Sequence, residues 1–163
     1  NNNLGYTTLM LDKIEESLQY YQKALRLYRE IGNKVGYILT LRDISRAYLK
    51  QGNIQAAQAR ILEALQLGVG LNDPLLALHL VGVIAQLMMK TDHTERAIQL
   101  CWIGINHPQS SYDHRKNIQA LLAELGVAAG SEAAQEPSPS EASLPAFEDL
   151  LAEVENVLLV AAS

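Results

Sequence analysis

Reactive side chains are sparse in this chain of 163 residues, and their spacing decides which chemistry they could support. The four histidines, His79, His93, His107 and His114, form no HExxH pattern, and none stands beside a cysteine at zinc-site spacing. His107 and His114 flank the stretch HPQSSYDH, where a metal or a catalytic role is chemically conceivable. Ordinary loop residues account for them better. The glycines of LGVGLNDP (67–74) lack the Lys-Ser/Thr pair that a phosphate-binding loop needs. No Ser-His-acid arrangement emerges either. The sequence therefore predicts no enzyme, no cofactor and no metal.

The polar residues that do form a pattern suit recognition. Arg42, Arg46 and Lys50 recur at i, i+4 and i+8, so a helix would place them on one face, with Asp43 nearby. Glu15, Glu16 and Glu63 read as solvated surface. Charge is also divided along the chain. Residues 1–128 hold all 13 Lys/Arg and 11 of the 18 Asp/Glu, whereas 129–163 hold seven acids and no base. A near-neutral body with an acidic tail does not favour direct nucleic-acid binding, whose main term is phosphate neutralisation.

Elements that could position the Arg/Lys stripe follow from composition and periodicity. Apolar residues make up 48%, with one Phe and one Trp, so Leu and Ala dominate and helices are favoured over strands. No apolar run approaches the roughly 18 residues of a membrane span, so no membrane partner is expected. A single cysteine, Cys101, excludes an internal disulfide framework and points to a reducing, cytoplasmic setting.

A shift of 40 residues aligns three segments without insertion. Leu4-Gly5, Ile44-Ser45 and Ile84-Ala85 match, as do Leu9, Leu49 and Met89. A turn follows at Asp12, Gly52 and Asp92. Then come Ser17, Ala57 and Ala97; Tyr21, Ile61 and Cys101; Ala24, Ala64 and Gly104; and Leu25, Leu65 and Ile105. Small residues at matched positions let two helix backbones approach, while Leu, Ile, Tyr and Met fill the space beside them. In the second unit Ala57, Ile61, Ala64, Leu65 and Gly68 trace one packed side. Cys101 occupies a core position of its unit, so a buried structural thiol is expected there. Each helix pair leaves an apolar face for a neighbour to cover, and a stack of such pairs follows. Asn2, Asn3 and Tyr6 then occupy, in the first unit, the surface that Arg42, Asp43, Arg46 and Lys50 occupy in the second. Gln86 and Lys90 occupy it in the third.

The pattern Ile44-Ser45, Tyr48, Gly52-Asn53, Ala57, Ile61 and Ala64 resembles the tetratricopeptide repeat. The resemblance spans about residues 2–107. The period of 40 rather than 34 places the extra residues in REIGNKVGY (29–37) and VGLNDPLLA (69–77). This longer form is similar to repeats of large bacterial signalling proteins and transcription regulators. It departs from the family pattern at Gly104 and Cys101, and no proline closes each unit. The resemblance implies an all-α, right-handed superhelical solenoid of antiparallel helix pairs. Its inner helices would line a concave face that binds a protein or peptide partner, here an acidic one. The family's clamp for a C-terminal carboxylate needs Lys and Asn where this chain has Asn2, Tyr6 and Asp43, so that ligand is not expected.

Helices are expected at 2–11, 14–31, 35–50, 54–68, 74–90 and 94–106, with Asp73 capping the helix that Pro74 begins. The repeat array would span 1–128, with units near 1–33, 34–73 and 74–107 and a closing helix at 112–125. Residues 129–143 read as a linker, and 144–160 as a C-terminal helix striped by Leu144, Phe147, Leu150, Leu151, Val154 and Leu158. The leading expectation is an interaction scaffold or regulatory module, a fragment of a larger signalling protein. A sensor for a small molecule or signal peptide and a self-associating structural module remain alternatives. The acidic tail 129–163 is a further, intramolecular candidate for the basic stripe.

Overall fold

The computed structural model describes residues 2–71, 73–126 and 145–161. Among these, the regular elements are eight helices: α1 (Asn2–Met10), α2 (Ile14–Glu30), α3 (Lys34–Gln51), α4 (Ile54–Val69), α5 (Pro74–Lys90), α6 (Thr94–Asn106), α7 (Tyr112–Glu124) and α8 (Phe147–Ala161). The ends of the first six lie within one residue of the expected positions. The chain divides into two compact units, Asn1–Asn72 and Asp73–Ser163. The expected linker 129–143 lies outside the described residues.

Helix ends follow local chemistry. Asn33 and Asn53 cap α3 and α4 by accepting from the N–H groups of Gly36 and Ala56, at 2.8 and 3.1 Å. Asp73 accepts from Leu75 N–H at 3.0 Å, with Pro74 at the first helical position of α5. α8 starts at Phe147, later than residue 144, because the carbonyl of Ala146 accepts the first helical bond from Leu150 N–H. Pro145 therefore precedes that helix.

The three hairpin turns share one geometry. Asp12, Gly52 and Asp92 take left-handed φ values of 60, 79 and 62°. The next residue in each case, Lys13, Asn53 or His93, donates its N–H to the carbonyl five residues back, on Thr8, Tyr48 or Met88, at 3.0, 2.9 and 2.9 Å. This is the bond that satisfies an orphan carbonyl at a helix end. Glycine takes such a φ without strain, and aspartate is among the few other residues that tolerate it.

In the first unit α1 pairs with α2, α2 with α3, and α3 with α4. Leu9, Tyr21, Ile44 and Ala47 form one core cluster, with Ile14, Leu18, Leu25 and Tyr48 packed around it. Ala57, Ile61, Ala64, Leu65 and Gly68 are all buried on α4, the side that their spacing marks out. Ser45 Oγ donates to the carbonyl of Ala57 at 2.9 Å, so the small residue of α3 also bonds its hairpin partner. A polar chain ties three helices together. Arg29 (α2) donates to the Tyr37 hydroxyl (α3) at 2.8 Å, which donates to Glu63 (α4) at 3.0 Å, and Arg60 holds the other oxygen at 2.7 Å. Glu63 is thus a structural acceptor and not merely solvated surface.

In the second unit α5 pairs with α6, α7 packs on both, and α8 packs on α5. Leu150 and Val154 of α8 are fully buried.

Small residues are required where helices approach most closely. A Cβ on Gly5 would lie 2.5 Å from Cε1 of Tyr21, a ring with no exposed surface. Gly5→Ala would gain up to about 1 kcal/mol in helix propensity. Overpacking a fixed ring costs roughly 1–3 kcal/mol. The clash wins, so urea denaturation should show a lower midpoint for Gly5→Ala, with an unchanged slope.

Candidate interaction face

The first helices of the unit-one pairs, α1 and α3, carry the polar residues singled out by sequence. Asp43 is the pivot. It lies inside α3 with only 3% of its surface exposed, where an uncompensated carboxylate would be costly. Arg42, its neighbour in sequence, folds back so that Nε and Nη2 each lie 2.8 Å from Oδ1. Arg46, one turn further on the same helix, brings Nη1 to 3.8 Å from the same oxygen. That separation is an ion pair but too long for a hydrogen bond. Two guanidiniums therefore share one carboxylate, leaving a local excess of positive charge.

Their proximity is felt electrostatically. Burial lowers the pKa of Arg46, and the like charge of Arg42 lowers it further, while Asp43 acts in the opposite sense. Tyr21 of α2 completes the cluster. Burial foremost, then the Asp43 charge, pushes its hydroxyl well above the ordinary tyrosine range, against the opposing pull of Arg46 and Arg42. It is a neutral O–H donor at physiological pH, yet the buried oxygen has no hydrogen-bond partner in the structure. Tyr6, half exposed on α1, couples to both Tyr21 and Arg46.

Other residues of the expected face are placed differently. Lys50 does not extend the Arg42–Arg46 pair. Its ammonium donates to the Leu9 carbonyl at 3.1 Å and pairs with Asp12, bracing α3 against the α1–α2 turn. Asn3 is exposed, and the side chain of Asn2 lies outside the described residues. Gln86 is half-buried and Lys90 exposed on α5, in the other unit. At the α5 positions matching Thr40 and Asp43 stand Leu80 and Val83, both buried and apolar. Of these two helices, α3 alone carries the polar cluster, around Asp43.

Tyr21 escaped sequence reasoning as a polar residue because it sits at the packed large-residue position of its repeat. Its ring does belong to the core, and only the leftover hydroxyl distinguishes it from phenylalanine. The partnership of Lys50 with Asp12 spans 38 residues and had no local signal.

Residues considered for chemistry take structural places. Cys101 is buried, and burial pushes its thiol up to about 12. His79 and His114 meet edge to face, with ring centroids 5.9 Å apart, and His107 Nδ1 accepts from Gln109 N–H at 3.2 Å. Among the described residues no three His, Cys, Asp or Glu side chains converge as a metal site. No helix among them is long and apolar enough to cross a membrane.

A tetratricopeptide-repeat family model matches residues 1–67, from α1 to all but the last two residues of α4. The match covers less than half of the chain, and over that stretch the chain resembles tetratricopeptide repeats. Comparison with curated proteins and with solved structures gave no match. Tetratricopeptide repeats generally mediate protein–protein interaction and are not themselves catalytic, in keeping with a face built from guanidiniums and phenols. Within the matched stretch the second helix pair supplies Arg42, Asp43 and Arg46, and the first supplies Tyr6 and Tyr21.

Two measurements test the electrostatic description. Asp43→Asn leaves two partly buried like charges without a counter-charge and should cost about 3 kcal/mol. Tyr21→Phe removes an unsatisfied buried hydroxyl and should leave stability unchanged or raise it by about 1 kcal/mol. Chemical denaturation of both variants checks the pair, and a large loss in Tyr21→Phe would reveal a missing partner. For Cys101, the unfolded thiol ionises near its ordinary 9.0, while the folded one remains protonated to about 12. The folded state then binds more protons, so this group's contribution makes stability fall as pH rises through that window, by up to about 1.4 kcal/mol per unit. Comparing wild type with Cys101→Ala across pH 8–11 should show the slope flattening in the variant.

Proposed function

We propose that the first unit is a protein-binding module whose α1/α3 face takes an acidic, extended peptide segment, with Arg46 as its main charge contact. The observation that carries this reading is the unequal sharing of Asp43. Arg42 is hydrogen-bonded to that carboxylate, whereas Arg46 feels it only at 3.8 Å. An incoming Asp or Glu side chain would supply the missing counter-charge and accept from Arg46. Asp43 and Arg42 act as positioning residues. They hold the guanidinium in place and reduce the ordering cost of binding. Tyr6 offers a half-exposed ring beside it, a surface that amphipathic contacts favour. Of the remaining expected contacts, Asn3 belongs to this reading only as flanking surface, whereas Gln86 and Lys90 stand in the other unit and are not part of it.

The same chemistry admits the acidic tail of a second copy, residues 129–163, as occupant. A 40-residue period favours a bacterial signalling protein or transcription regulator as the parent, and the single Cys101 favours a cytoplasmic setting. These are parts of the proposal.

Selection of peptides from a random library on the whole protein tests it. Enriched sequences should contain Asp or Glu, and their binding should weaken with added salt. Arg46→Gln should reduce affinity by about tenfold or more, the range of a charge-assisted hydrogen bond. Lys90→Gln, in the other unit, should change it little. Enriched peptides without acids, or binding indifferent to Arg46→Gln, would remove the face from consideration.

A further inference from the structure

The second unit poses a different question: what holds α8 on α5. Two of its described side chains, Leu150 and Val154, have no exposed surface. Between them in sequence, Glu153 faces Arg96 of α6 in a two-pronged pair. Arg96 Nε donates to one carboxylate oxygen at 3.0 Å, and Nη2 donates to the other at 2.5 Å. The remaining described side chains of α8 are mostly exposed, among them Glu148, Asp149, Ala152, Glu155 and Asn156. Among the described side chains the attachment consists of two apolar anchors one turn apart and a fork-to-fork charge pair beside them.

Arg96 has a second tie within its own helix. Arg96 Nη1 also donates to Gln99 Oε1 at 3.0 Å, a contact within α6 that holds the guanidinium in position. α5 is apolar beyond the stripe that its hairpin partner requires. Val81, Ile84 and Met88 recur on one face, while Leu80, Val83 and Leu87 recur on another, and all are buried. In α3 the positions matching Leu80 and Val83 are Thr40 and Asp43. α5, the helix that α8 packs against, thus carries apolar residues where α3 carries polar ones.

We propose that the α5/α6 surface is a docking site for an amphipathic helix, that α8 is its resident occupant, and that a partner helix with the same Leu-x-x-Glu-Val spacing exchanges with it. A small contact patch with a preset arginine has the make-up of a helix-in-groove site, where a few anchors and one charge define register. A covalently joined occupant raises the threshold for an outside ligand, since it competes intramolecularly. Only a helix that presents both apolar anchors and the acid displaces it. The occupant is read from α8 itself, and the site is separate from the Arg46 cluster.

The probe is a fluorescein-labelled peptide of residues 145–161, titrated by anisotropy against the full chain. Wild type should bind it weakly, because α8 occupies the site. Leu150→Asp with Val154→Asp, made in the full chain, should vacate the surface and tighten peptide binding by tenfold or more. Adding Arg96→Glu should abolish that gain, and a Glu153→Arg peptide should restore it. Equal binding by wild type and the vacated chain, indifference to Arg96→Glu, or equal binding of a scrambled peptide would each overturn the proposal. Should the double variant lose its helical circular dichroism, Glu153→Arg in the full chain takes its place. Amide exchange over 147–156 should then accelerate and return to the wild-type rate with Arg96→Glu added. No acceleration would count against α8 being held through this pair.

Discussion

The reversal at each hairpin is the constraint on which the remaining structure depends. A left-handed residue followed by an N–H reaching five residues back leaves the second helix of each pair one way to return. That fixes which residues of the first helix meet which of the second. Gly5 meets Tyr21 and Ser45 meets Ala57 because the turn between them has the same shape in both repeats. Aspartate at two of the three turns, where glycine would be free of strain, implies a compensating use. At Asp12 that use is the brace to Lys50. A residue that looks like a turn former thereby becomes an inter-repeat contact.

With the register fixed, the first helices of the pairs are free to differ, and they do. α3 carries a buried carboxylate and two guanidiniums on the surface that its hairpin leaves uncovered, whereas α5 carries leucines and valines there. The backbone device is common to both, yet one suits charge recognition and the other suits the burial of a helix. Asp43 is expensive to bury and contributes little packing, so its presence is easiest to understand as an organiser of the arginines. The bidentate hold on Glu153 by Arg96 reverses that arrangement: one guanidinium, one carboxylate, both a third exposed.

What could be read from sequence follows from the range of each interaction. The helices, the turn at Asp12, Gly52 and Asp92, and the buried side of α4 were all legible, because they depend on residues within one or two turns of each other. The repeat register extended that reach by comparing copies. Legibility failed where partners were distant or where one residue did two jobs. Arg42, Arg46 and Lys50 share a spacing but not a role, since Lys50 is drawn away by an aspartate 38 residues earlier. Glu63 looked solvated because nothing local marks Tyr37, 26 residues before it, as its donor. The Arg96–Glu153 pair, 57 residues apart, was beyond any periodic argument. Periodicity identifies a face and leaves its partner unnamed.

Short connections between successive helices also bear on how the chain reaches this state. Within each unit nearly every helix packs against its immediate neighbour in sequence, so loop closure costs little and the first productive encounters are local. Any one hairpin can nucleate, and its neighbours can then add onto the exposed side. The contact between α5 and α8 is the exception, since it joins helices further apart in sequence than the other pairs of the second unit. It should be the last to form and the first to open. Slow assembly and easy release are thus consequences of where that helix stands in the chain.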